Sequence, residues 1–220
     1  MIDHGEYRYF KDGVLSDVTE TFRLESAPSG VVVTCERNAP AFGSHMRVLA
    51  RGASWGGPFS SFDVCLTREA SPHRAEAAYR LEGSALSWTR QIDGHCDGGE
   101  MTLTPGTLVY PLMRVFLGPV IEQTARLGRA NVLTPWITDP TNVSKLLLPH
   151  LEEREAAEIP EAIPPRLRRF AFVSAQYDRG AHFDLDPRGV LVRYLFPQKG
   201  VGEWRVELRE NVALSAGKTL

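Results

Sequence analysis

Apolar and polar residues alternate over most of this 220-residue chain, and one stretch breaks the alternation. Short period-two runs recur from the start: EYRYF, DVTETFRLE, GVVVTCER, HMRVLARG, SSFDVCLTR, RAEAAYRLEG and ALSWTRQID. The separators KDG, SAPSG, NAPAFG, SWGGP, ASPH and GHCDGG are rich in turn formers. Strands at this spacing predict an antiparallel meander over 5–104. Period two assigns the faces: Tyr79 and Leu81 point one way, Arg80 and Glu82 the other. On ALSWTRQID, Leu86, Trp88, Arg90 and Ile92 share a face, a mixed set that suits a wall with polar contents.

The break is GTLVYPLMRVFLGPVIEQTARLG, Gly106 to Gly128. Eight of the ten residues from Leu108 to Leu117 are apolar, with Arg114 set among them. Proline at the first helical position and glycine just past the last predict one helix from Pro111 to Leu117 and a second from Pro119 to Leu127. Tyr110 and Arg114, four apart, are neighbours on a helical reading. A further helical stretch is predicted in ITDPTNVSKLLLPHLEEREAAEIP, begun at Asp139-Pro140 and kinked at Pro149. PEAIPP reads as a stiff connector. RRFAFVSAQY, AHFDLD, VLVRYLFPQ and EWRVELRE then return to strands over 167–210.

A long meander, a helical insertion over 106–160 and a short meander predict one domain across 1–220, of α+β class and mainly antiparallel β. The expected form is a strongly curved sheet or unclosed barrel of at least ten strands. Two or three helices pack in its concave side, because an exposed helix that is apolar all round is an aggregation hazard. This order of elements, with the apolar YPLMRVFLGPVI insertion, resembles the half-barrel superfamily of bacterial lipoprotein carriers (LolA-like) and related bacterial proteins of unknown function. The resemblance covers most of the chain as element order and carries no motif, so it transfers no functional residue.

Charge adds mainly exclusions. Twenty-five basic and 27 acidic side chains leave a net charge of −2, which gives no electrostatic case for nucleic acid. No stretch approaches the roughly 20 apolar residues of a membrane helix. The N-terminal MIDHGEYRYF lacks the pattern of a secretory signal, and Cys35, Cys65 and Cys96 form no CxxC, so a cytoplasmic protein is expected.

His95, Cys96 and Asp97 are consecutive and cannot readily converge on one ion, so no metal is expected. No glycine-rich nucleotide loop and no marked nucleophile occur, so no cofactor is expected. Arg114 is the residue hardest to place, because a guanidinium within an apolar helix needs water, a carboxylate or a ligand. The expected function is binding of a hydrophobic or amphipathic small molecule in the half-barrel cavity, with Arg114, Tyr110, Trp136 and Trp88 at the ligand. The alternative is a cofactor-independent isomerase, cyclase or lyase acting on a largely apolar substrate there, with His182 and Asp184 moving a proton. The sequence leaves the oligomeric state open.

Overall fold

The computed structural model describes residues 4–160, 166–174, 177, 180–198 and 202–209. The alternating runs form β1 (His4–Lys11), β2 (Val14–Ala27), β3 (Gly30–Ala39), β4 (Ser44–Gly52), β5 (Phe59–Arg68), β6 (Arg74–Glu82), β7 (Ala85–Ile92) and β8 (His95–Thr102). Then come β9 (Leu108–Val109), the helix α1 (Arg114–Leu127), β10 (Arg129–Pro135) and β11 (Pro149–Ile159). The chain continues through β12 (Arg168–Val173), β13 (His182–Leu185), β14 (Leu191–Gln198) and β15 (Gly202–Arg209).

All fifteen strands join one open sheet, in the order β8-β7-β6-β5-β4-β3-β2-β1-β15-β14-β13-β12-β11-β10-β9. Neighbours are antiparallel except β9 and β10, which run parallel. β1 pairs with β15, Tyr9 opposite Val206, so the first and last described strands meet inside the sheet. The mainly antiparallel, unclosed sheet is therefore present, with more strands than the minimum expected.

The sheet bends around α1. The helix packs on β9, β10, β11, β12 and β14. Its Phe116 ring also meets Phe59 of β5 edge-on, with centroids 5.2 Å apart. Glu20 of β2 binds the backbone N–H of Arg114 at the helix start. Strands far apart in the sheet order thus touch one helix, which a flat sheet does not permit. The face turned toward α1 is apolar: Tyr7, Phe22, Val33, Val48, Phe62, Val64, Tyr79, Phe172, Phe183 and Tyr194 are all buried.

The helical expectation needs correction. Among the described residues there is one α-helix, not two or three. Pro111 to Met113 precede it, with Leu112 in the left-handed region at φ 69°. Gly118-Pro119 lies inside it. Gly118 answers to packing and does not end the helix: a Cβ there would stand 2.1 Å from the Gly189 carbonyl oxygen, so its absence admits the β13–β14 turn.

Leu151 to Ile159, rich in helix formers, belongs to strand β11, and residues 139–148 are turns. Pairing to β10 on one side and β12 on the other outweighs local propensity. The pattern conceals a period of two, with Arg154 and Ala156 buried between exposed Glu153, Glu155 and Ala157. HCDGG of GHCDGG is strand too; only its Gly94 lies in the hairpin turn, with Asp93, both at positive φ. Of the predicted connector PEAIPP, all but Pro160 lies outside the described residues.

Candidate functional site

The N-terminus of α1 meets the sheet at a cluster of charges and phenols. Every helix start leaves backbone N–H groups without intrahelical partners. Met113 at the N-cap supplies no side-chain acceptor, and Glu20 supplies one from 94 residues away in sequence. Alternation on β2 puts Glu20 on the inward face between Val18 and Phe22, where it is 1% exposed. One carboxylate oxygen accepts the Arg114 N–H, and the other accepts the Tyr9 hydroxyl at 2.9 Å.

The Arg114 side chain turns into the same space and is buried. Its Nη1 donates to the hydroxyls of Tyr110 at 3.2 Å and Tyr177 at 3.0 Å. Its guanidinium carbon stands 5.1 Å from the Tyr194 ring centre and 6.0 Å from that of Tyr9. Among the described residues, Arg114 Nε is buried without a hydrogen-bond partner. Its hydrogen-bond partners are thus neutral phenols. On the far side of Tyr110 stands a second buried guanidinium, Arg154, 5.3 Å from the Tyr110 ring and 5.6 Å from that of Phe172. Arg154 differs in having a carboxylate, Glu152, at 3.0 Å.

Burial pushes the Tyr110 hydroxyl up to about 12, and raises Tyr9 and Tyr194 as well. All three remain neutral donors at physiological pH. Tyr177 completes the enclosure: its ring packs on Phe183 and Phe196, each with centroids 5.2 Å away. The arrangement offers a fixed cation, neutral hydroxyls and an aromatic wall, groups whose chemistry complements an anionic or carbonyl oxygen joined to apolar carbon.

The other predicted site residues lie elsewhere. Tyr110 is joined to Arg114 as expected, although through a left-handed turn and not a helical one. Trp136 exchanges backbone hydrogen bonds with Leu147 and Leu148, and Lys145 approaches its ring at 5.9 Å. Trp88 is on β7 beside Gly99, where an added Cβ would meet the indole at 3.1 Å. Its neighbour Arg90 binds Asp97 and the carbonyl of Leu146 at 2.8 Å, fastening the 139–148 turns to the sheet.

His182 and Asp184 are separated from Arg114 by the sheet. Phe183, between them, points inward and stacks on Tyr194 at 5.3 Å. Asp184 therefore faces outward, where Arg169 holds it at 2.7 Å and Arg193 at 2.7 Å. Burial raises its carboxyl, but the two arginines outweigh this and hold it below the usual carboxylate value. An open groove of about 800 Å³ also lies on an outward face, across β4 to β8 between Arg47, Asp63, Cys65 and Glu76. It is not the space that holds Arg114. His95, Cys96 and Asp97 alternate across β8, and among the described residues no three metal-ligating side chains converge.

Sequence reading alone misses Glu20, Tyr9, Tyr177, Tyr194 and Arg154. Glu20 carries a usable signal, a lone acid on the face of Val18, Phe22 and Leu24. Arg154 is hidden by the helical appearance of its segment.

The centre is thus a buried arginine–tyrosine cluster under one helix inside a wrapped antiparallel sheet. No protein-family model matches the chain, and no curated protein does either. Among solved structures it is similar to a DUF1089 family protein from Pseudomonas aeruginosa, at 12% identity and a TM-score of 0.42, over 83% of this chain and 90% of that one. Likeness at that level carries no functional argument. Among the described residues no helix is long and apolar enough to cross a membrane.

Proposed function

We propose that this protein binds a hydrophobic or amphipathic small molecule inside the wrapped sheet, with Arg114 meeting its anionic or carbonyl group. One observation carries the reading: a buried guanidinium hydrogen-bonded only to neutral phenols, with Nε unpartnered among the described residues. Taking a cation out of water costs several kcal/mol unless a partner repays it. Two phenol hydrogen bonds and two ring faces offset part of that cost. A ligand oxygen at Nε would supply the rest, and Phe172, Phe183 and Phe196 would take its apolar portion.

The proton-moving pair of the catalytic alternative, His182 and Asp184, faces outward, away from this centre. The test is Arg114→Met, which keeps most of the stem volume and deletes the charge. Native mass spectrometry of gently purified wild-type protein is expected to show a retained small molecule that the variant has lost. The variant's melting temperature without ligand should change little, since among the described residues no carboxylate loses a hydrogen bond to the guanidinium. A large loss of stability with undiminished retention would make Arg114 a structural residue and misplace the site.

A further inference from the structure

The two edges of the sheet are unlike. At one end β9 has two half-buried residues. At the other, β8 has eight residues, of which all but Met101 are exposed. Its register with β7 is unbroken from Ala85–Thr102 to Ile92–His95. Natural edge strands are usually blunted by lysine, proline, a bulge or shortness. β8, HCDGGEMT, has the charges of Asp97 and Glu100 but no lysine, proline, bulge or shortness.

The hydrogen-bond phase follows from the turn. Ile92 opposite His95 closes a two-residue hairpin loop, so His95, Asp97, Gly99 and Met101 exchange bonds with β7. The same phase continues at Leu103, whose N–H donates to the Ser84 carbonyl at 2.8 Å. The N–H and C=O groups of Cys96, Gly98, Glu100 and Thr102 consequently point out of the sheet, toward a strand that would lie beside β8.

We propose that this strand is β8 of a second copy of the chain, giving a two-fold dimer with one continuous sheet through both molecules. Antiparallel pairing about an axis at Gly99 sets Cys96 against Thr102, Gly98 against Glu100 and Asp97 against Met101. All four outward-facing residues of each strand then hydrogen-bond. No like charges stand opposite each other, and the side chain of Glu100 lies over Gly98 of the partner strand. Sliding one step toward the C-terminus opposes Glu100 to Glu100, and sliding one step the other way leaves Thr102 unpaired. The short β9 edge gives the pairing nowhere to continue, so association closes at two copies and does not propagate into a filament.

Sedimentation velocity over a roughly hundredfold concentration range is expected to show a reversible shift from the 24.5 kDa chain to twice that mass. Glu100→Pro removes an N–H that β7 does not use, and should leave a monomer with wild-type circular dichroism and melting temperature. Amide-resolved hydrogen exchange of the wild type supplies a second reading that needs no variant. Protection at Cys96, Gly98, Glu100 and Thr102 should rise with protein concentration, while the amides bonded to β7 stay unchanged. A wild type that stays monomeric throughout overturns the proposal. So does a dimer that a folded Glu100→Pro retains, or concentration-dependent protection located on another strand.

Discussion

Removal of the Glu20 carboxylate tests the reasoning behind the buried centre most directly. Glu20→Ala strips the Arg114 N–H and the Tyr9 hydroxyl of their acceptor. Each buried donor left unpaired costs about 1–3 kcal/mol. Two such donors are lost, so about 2–6 kcal/mol is expected in total. In a domain of this size that corresponds to a fall in melting temperature of about 4–24 °C. Glu20→Gln keeps an oxygen for the Arg114 N–H and an amide that can donate to the Tyr9 oxygen, while losing the charge. Its cost should be about 1–2 kcal/mol.

Urea unfolding of both variants, with Arg114→Met as the second arm of a double-mutant cycle, separates geometry from charge. If Glu20 balances Arg114, the Glu20→Gln/Arg114→Met pair should be less destabilised than the sum of the single changes by about 1 kcal/mol or more. Strict additivity would show that the two charges do not see each other. A Glu20→Ala loss below about 1 kcal/mol would refute the account of the helix start as well.

Two further outcomes are expected. Gly118→Ala gains a little helix propensity but drives its methyl into the Gly189 carbonyl, and should lower stability by about 1–3 kcal/mol in urea titration; a stabilised variant would mean the β13–β14 turn moves freely. Asp184 has a folded-state carboxyl held below its unfolded value, so its contribution is complete above about pH 4 and fades as pH falls through the folded value. Asp184→Asn should therefore reduce stability at neutral pH by about 1.5–3 kcal/mol and flatten the loss of stability below about pH 4. An unchanged acid limb would place the acid sensitivity in another group.

The strands of the N-terminal half were legible because one face is buried and one is wet, which writes a period of two into the residues. The same rule explains where the reading failed. Leu151 to Ile159 also alternates, but its only buried residues are Arg154 and Ala156, set among exposed Glu153, Glu155 and Ala157. No apolar stripe marks the face, and the helix-forming composition spoke louder than the period. Local signals misled at Gly118-Pro119 for a related reason. A glycine reserved for a close backbone approach reads the same as one that ends a helix, and the difference lies in Gly189, about 70 residues further on. His182 and Asp184 were correctly read as sharing one face of a strand. Which face lay inward depended on Phe183 finding Tyr194 across the ladder.

Arg114 shows how far such a reading extends. Its oddity was visible from composition alone, since a lone guanidinium in an apolar stretch has to be explained. Its partner Tyr110 was visible from spacing, and the contact forms even though the helix begins later than predicted. Glu20, Tyr9, Tyr177 and Tyr194 come from four other segments, and only the wrapped sheet brings them to the start of α1. A buried polar centre assembled in this way leaves at most one conspicuous residue in each segment. On β2 that residue was Glu20, a single carboxylate on a face of valine, phenylalanine and leucine. A buried charge that breaks an apolar face in one element therefore calls for its counterpart on another. Here the two conspicuous residues, Glu20 and Arg114, meet at one backbone N–H, and the helix begins there.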